Sequence, residues 1–115
     1  MDWIGFADQT EEEKDLEITS TTEDNACVVS LSGDLDTSTT AAVESALTKA
    51  LEDHDTLIVD ISGVPFADSS GLGGLIGVYK RAKAAGKEVR LRKPTPIVSE
   101  ILTITRMKRF FPVDE

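Results

Sequence analysis

The rhythm of apolar and polar positions changes repeatedly along this chain, and each change marks an element. From Leu16 to Thr21 the alternation is weak, as on an edge strand. Cys27, Val29 and Leu31 alternate with Val28, Ser30 and Ser32, the period of a strand with one buried face. Asp24-Asn25 between these runs predicts a hairpin turn. Gly33-Asp34-Leu35-Asp36 breaks the period, and Asp36 or Thr37 is the expected cap of a following helix. That helix carries Ala42, Val43, Ala46, Leu47, Ala50 and Leu51 on one stripe and ends at Asp53-His54-Asp55. Leu57-Ile58-Val59-Asp60-Ile61 is almost continuously apolar, which suits a central parallel strand covered on both faces.

A second helix is expected from Ser69 and Ser70 to near Gly86, followed by a strand with Val89 and Leu91 alternating with charges. Thr95-Pro96 is a cap followed by a first-turn proline. Val98, Ile101, Leu102 and Thr105 mark a third helix, and Phe110, Phe111 and Val113 fit a last short strand. The order β-β-α-β-α-β-α(-β) predicts one α/β domain with a mixed sheet, over residues 15–115. Residues 1–14 form an acidic N-terminal segment, with Trp3, Ile4 and Phe6 either docking on the domain or belonging to a tail.

Composition narrows the chemistry. The chain has 115 residues and a net charge of −9, which argues against nucleic acid as a partner and for partners with a basic face. No apolar run approaches the ~20 residues of a membrane span, and the acidic start lacks the features of a signal peptide, so a cytoplasmic protein without a membrane partner is expected. Cys27 is the only cysteine and reads as a small buried hydrophobe. His54 is the only histidine, too few for a His-based metal site, so no metal or other cofactor is expected. A monomer is the expectation for a small acidic domain.

The helix that opens at the serines is unusual. Leu72, Leu75, Ile76 and Tyr79 form its core face, while Ser70, Gly73, Gly77, Arg81 and Ala84 fall roughly opposite. Each interior glycine costs about 1 kcal/mol relative to alanine, so Gly73, Gly74 and Gly77 together cost roughly 2–3 kcal/mol. Either the glycines admit a close neighbour, or they leave a bare surface for a partner protein beside Ser69. The second is favoured, because leucines already supply the core face. Gly71, Gly73 and Gly77 give G-x-G-x-x-x-G, a poor match to either nucleotide-binding glycine motif. Asp68-Ser69-Ser70-Gly71, taken alone, reads as an N-cap supplied by Asp68, Ser69 or Ser70. A nucleophilic serine would need a G-x-S-x-G setting and a base, and neither is evident. A helix N-terminus does, however, suit a serine that carries a phosphate.

Together these segments resemble the STAS domain of the bacterial anti-sigma-factor antagonist family, over residues 15–113. Gly33-Asp34-Leu35-Asp36 resembles the family's Gly-x-Leu-Asp loop, Leu57 to Ser62 its central strand, and Phe66 to Gly73 its phosphorylation motif. The resemblance implies a mixed sheet with helices mainly on one face, and no enzyme activity. It implies Ser69 as the phosphate acceptor, with Asp34, Asp36, Asp68, Ser70, Gly71, Gly73, Gly74 and Gly77 facing a partner. That partner is an anti-sigma factor serine/threonine kinase, bound by the unphosphorylated form so that a sigma factor is freed; a metal-dependent serine phosphatase resets the switch. The alternative is a STAS scaffold in a larger signalling or transport assembly, never phosphorylated. One departure stands out: Arg106 lies where the family often has a glycine after the last helix. A left-handed arginine is costly, so the third helix is expected to run on toward Lys108.

Overall fold

The computed structural model describes residues 16–115; the N-terminal segment and its Trp3, Ile4 and Phe6 lie outside the described residues. A hairpin opens the fold, β1 (Leu16–Glu23) running antiparallel to β2 (Ala26–Gly33). Asp24 and Asn25 both have positive φ, 49° and 71°, the conformation a tight two-residue hairpin demands. Then come α1 (Thr40–Glu52), β3 (Thr56–Gly63), α2 (Ser69–Ala84), β4 (Glu88–Arg92), α3 (Pro96–Ile104) and β5 (Val113–Asp114). The sheet order is β1-β2-β3-β4-β5, parallel from β2 onward. Right-handed crossovers that advance in one direction put successive helices on the same face of the sheet.

The core lies between that face and the helices. Leu57, Val59 and Ile61 of β3 meet Val29 and Leu31 of β2, Val89 and Leu91 of β4, and the helix residues Val43, Leu47, Leu75, Val78 and Leu102, all buried. The expectation that β3 is covered on both faces is corrected. Ile58 and Asp60 are only half-buried on the other face. There Ile58 stands in register between Val28 and Arg90, so a β-branched neighbour and an arginine stem give it partial cover, with no second helix layer among the described residues.

Two element ends also differ from expectation. The cap of α1 is Thr39, three residues beyond Asp36, because a turn closed by Thr39 N–H to the Asp36 carbonyl (3.1 Å) intervenes. The third helix stops at Ile104 rather than running on toward Lys108. Arg106 takes the left-handed conformation after all, at φ 62°. The reversal there turns Met107 and Phe111 into the core, where the Phe111 ring meets Tyr79 edge-on at 5.1 Å. Burying two large side chains outweighs roughly 1–2 kcal/mol of backbone strain.

Candidate functional site

Three loops meet at the carboxyl ends of β2, β3 and β4, the end of an open parallel sheet where sites commonly form. Leu35 joins the first two. Its N–H donates to the Phe66 carbonyl (3.0 Å), and its carbonyl accepts from Asp68 N–H (2.9 Å), a short parallel bridge between Leu35 and Ala67. Both side chains are buried. The third loop is tied in by Thr95, whose hydroxyl donates to the Val64 carbonyl at 2.9 Å.

This zipper delivers α2 with Asp68 as its cap. The Asp68 carboxylate accepts from Gly71 N–H at 3.0 Å, and its carbonyl accepts from Leu72 N–H. The N–H groups of Ser69 and Ser70, in the first turn, have no intrahelical acceptor. Both serines are exposed. The hydroxyl of Ser70 accepts from Thr37 Oγ1 at 3.0 Å, whereas Ser69 makes no side-chain hydrogen bond to another described residue.

The neighbouring loop brings charge. Asp34 is exposed, and its carbonyl accepts from the Thr39 hydroxyl. Asp36 is held by a local turn, its carboxylate accepting from Ser38 N–H (2.9 Å) and the Ser38 hydroxyl (2.7 Å). The hydroxyl bond, aided by the backbone N–H groups, keeps the Asp36 carboxyl below the usual carboxylate range. The zipper therefore draws Asp34, Asp36, Asp68, Ser69 and Ser70 to one edge of the molecule.

The glycines of α2 divide into two pairs. Gly71 and Gly74 are buried. A Cβ on Gly71 would come within 2.7 Å of Leu35 Cβ, and one on Gly74 would meet Glu44 and Thr40 of α1 at 3.0 Å. Their assignment to a partner-facing surface is corrected: they admit the Leu35 loop and α1. Gly73 faces open space, with nothing within 4 Å of an added Cβ, and at Gly77 the nearest atom is the Arg81 guanidinium at 3.7 Å. The core stripe is likewise Leu72, Leu75, Val78 and Ala82, with Ile76 and Tyr79 at its margin. All the glycines of G-x-G-x-x-x-G lie inside α2, so no loop of glycines is present there to cradle a phosphate.

Sequence reasoning missed the zipper at Leu35 and the role of Thr37. One signal was available: Leu35 is a lone apolar residue between two aspartates, an unfavourable place for leucine unless its side chain is buried. Elsewhere, Cys27 is buried and its thiol pKa is raised by that burial. His54 Nδ1 lies 3.0 Å from the Ala50 carbonyl at the end of α1. Among the described residues no group of side chains could hold a metal ion, and no helix is long and apolar enough to cross a membrane.

Residues 17–115 match the STAS domain family. An anti-sigma-B factor antagonist of Staphylococcus aureus is 30% identical over 101 residues, covering 87% of this chain and 94% of that protein. Among solved structures, an anti-sigma factor antagonist from Mycobacterium paratuberculosis superposes with a TM-score of 0.73 at 30% identity, covering 86% of this chain and 85% of that one. The antagonist SpoIIAA in its unphosphorylated form shares the fold, with a TM-score of 0.70 at 20% identity over 85% of this chain and 88% of its own.

Proposed function

Because this chain belongs to the STAS domain family, we propose that it is an anti-sigma factor antagonist switched by phosphorylation of Ser69. Unphosphorylated, it binds an anti-sigma factor serine kinase in the cytoplasm and so frees a sigma factor. Phosphorylation releases the kinase, and a serine phosphatase restores the binding form. The observation that carries this reading is Ser69 itself, an exposed hydroxyl at the mouth of α2 beside the side-chain-free surface of Gly73.

The physics of the switch follows from this setting. A phosphate adds about −1.5 to −2 charges. The positive end of α2 and its free N–H groups tolerate that charge, so the fold holds. The surface does not stay the same. Asp34 and Asp36 border it, and Asp68 lies next in sequence. A partner packed closely on Ser69, Ser70, Gly73 and Gly77 meets new bulk and a denser negative field. Loss of fit together with like-charge contact costs several kcal/mol, and every 1.4 kcal/mol weakens binding tenfold.

The test uses the cognate anti-sigma factor kinase with wild type, Ser69→Ala and Ser69→Asp. Wild type and Ser69→Ala bind, Ser69→Asp binds at least tenfold more weakly, and only wild type gains a single phosphate by intact mass. Tight binding by Ser69→Asp with no phosphate on wild type contradicts the switch and favours a scaffold that is never phosphorylated.

A further inference from the structure

We propose that Thr37 is a specificity-determining residue: its hydrogen bond to Ser70 withholds the second serine and leaves Ser69 as the phosphate acceptor. The inference rests on the switch reading above and concerns which of two adjacent hydroxyls that switch uses.

Ser69 and Ser70 open α2 side by side, and both are exposed. Exposure alone therefore does not choose between them. Their surroundings do. Successive residues of a helix turn about 100° around its axis, and the turn from Ser69 to Ser70 points the second hydroxyl at the loop that follows β2. There Thr37 Oγ1 donates to Ser70 Oγ at 3.0 Å, a contact between residues 33 apart in sequence.

Thr37 is held in place from both sides. Leu35, two residues before it, is bonded to Phe66 and to Asp68. Ser38, the residue after it, is bonded twice to the Asp36 carboxylate. The Asp36 N–H donates to the Thr39 hydroxyl at 3.0 Å. The donor thus sits on a braced turn, and the bond to Ser70 does not need two free loops to find each other.

The chemistry makes this contact matter. In the transfer, a serine Oγ forms a bond to the γ-phosphorus of ATP, the bond from that phosphorus to the β–γ bridging oxygen breaks, and ADP leaves. The hydroxyl proton passes to a base of the kinase. The attacking electron pair belongs to Oγ. The Ser70 hydroxyl is held against Thr37 Oγ1, so Ser70 must break that bond and turn outward before it reacts. Ser69 gives up no such bond to another described residue.

The experiment treats the full chain with ATP, magnesium and the cognate anti-sigma factor kinase, then maps phosphate by fragmentation mass spectrometry. Thr37→Val keeps the side chain's shape and removes its hydroxyl; Thr37→Ser keeps the hydroxyl. Wild type and Thr37→Ser should carry phosphate on Ser69 with no more than a trace on Ser70. Thr37→Val should add phosphate at Ser70, raised a few-fold to about tenfold over wild type, the range that loss of one hydrogen bond gives. The position of the phosphate is a readout that a merely structural role for Thr37 would not move. Ser70 phosphate no higher in Thr37→Val than in wild type overturns the inference and leaves the switch intact. No phosphate on either serine of wild type overturns the switch and this inference with it.

Discussion

At the scale of single residues, neighbouring glycines of one helix serve opposite ends. Gly71→Ala drives a Cβ into the backbone and Cβ of Leu35, which the zipper holds in place. It should destabilise the fold by about 1–3 kcal/mol, the range of overpacking in a close-fitted site, read as a lower midpoint in urea unfolding. Gly73→Ala meets nothing. It should leave stability unchanged or raise it by up to about 1 kcal/mol, while weakening binding to the kinase. A Gly73→Ala protein that unfolds more easily than wild type would contradict the division. Asp68→Ala removes the cap bond to Gly71 N–H and should cost about 0.5–2 kcal/mol.

At the scale of elements, the strain sits at the end of α3. Arg106 holds φ 62° so that Met107 and Phe111 can turn inward. Arg106→Gly should therefore stabilise the protein by about 1 kcal/mol, seen as a higher thermal midpoint. An unchanged or lower midpoint would mean that the arginine contributes contacts that offset its backbone cost. This position also marks what local pattern could and could not convey. The hairpin at Asp24-Asn25, the stripe of α1 and the Thr95-Pro96 start of α3 were legible, because each rests on a local preference and a repeating period. The left-handed Arg106 was not, because the propensity of one residue is overruled by the burial of two others. The strand faces divided in the same way. The run from Leu57 to Ile61 was legible as a central strand. That Ile58 is only half-buried depends on where the described crossovers pass, which no single segment encodes. At the candidate site, a capped helix start was legible from Asp68-Ser69-Ser70-Gly71, but not which of Asp68, Ser69 and Ser70 caps it; the structure puts Asp68 there. The inward orientation of Gly71 and Gly74 was not, because it depends on Leu35 and Glu44, far off in sequence.

At the scale of the whole molecule, charge bears on acid stability and on the rate of association. Arg92 hydrogen-bonds Glu23 at 3.1 Å, and Arg90 hydrogen-bonds Asp114 at 2.7 Å. These partners lower the pKa of Glu23 from its ordinary 4.5 and that of Asp114 from its ordinary 3.8. A carboxyl whose pKa is lower when folded stabilises the protein above its unfolded pKa and loses that contribution as pH falls through the folded value. Stability should be flat from neutral pH down to the ordinary carboxylate range and then decline, by a modest amount because the pairs are solvent-screened. Thermal melts across that acid range check it, and a midpoint that rises on acidification would contradict it. The net charge of −9 has a second consequence. Association with a basic partner face should slow as salt is added, as stopped-flow mixing at two ionic strengths would reveal.

The central claim is that one phosphate on Ser69 turns off binding without unfolding the domain. Titration calorimetry of the anti-sigma factor against the unphosphorylated chain and the enzymatically phosphorylated chain tests it most directly, with circular dichroism of both forms alongside. A stable complex with the first form, at least tenfold weaker binding by the second, and matching spectra are expected. Equal affinities for the two forms, or a phosphorylated chain that binds weakly only because it has unfolded, would contradict it.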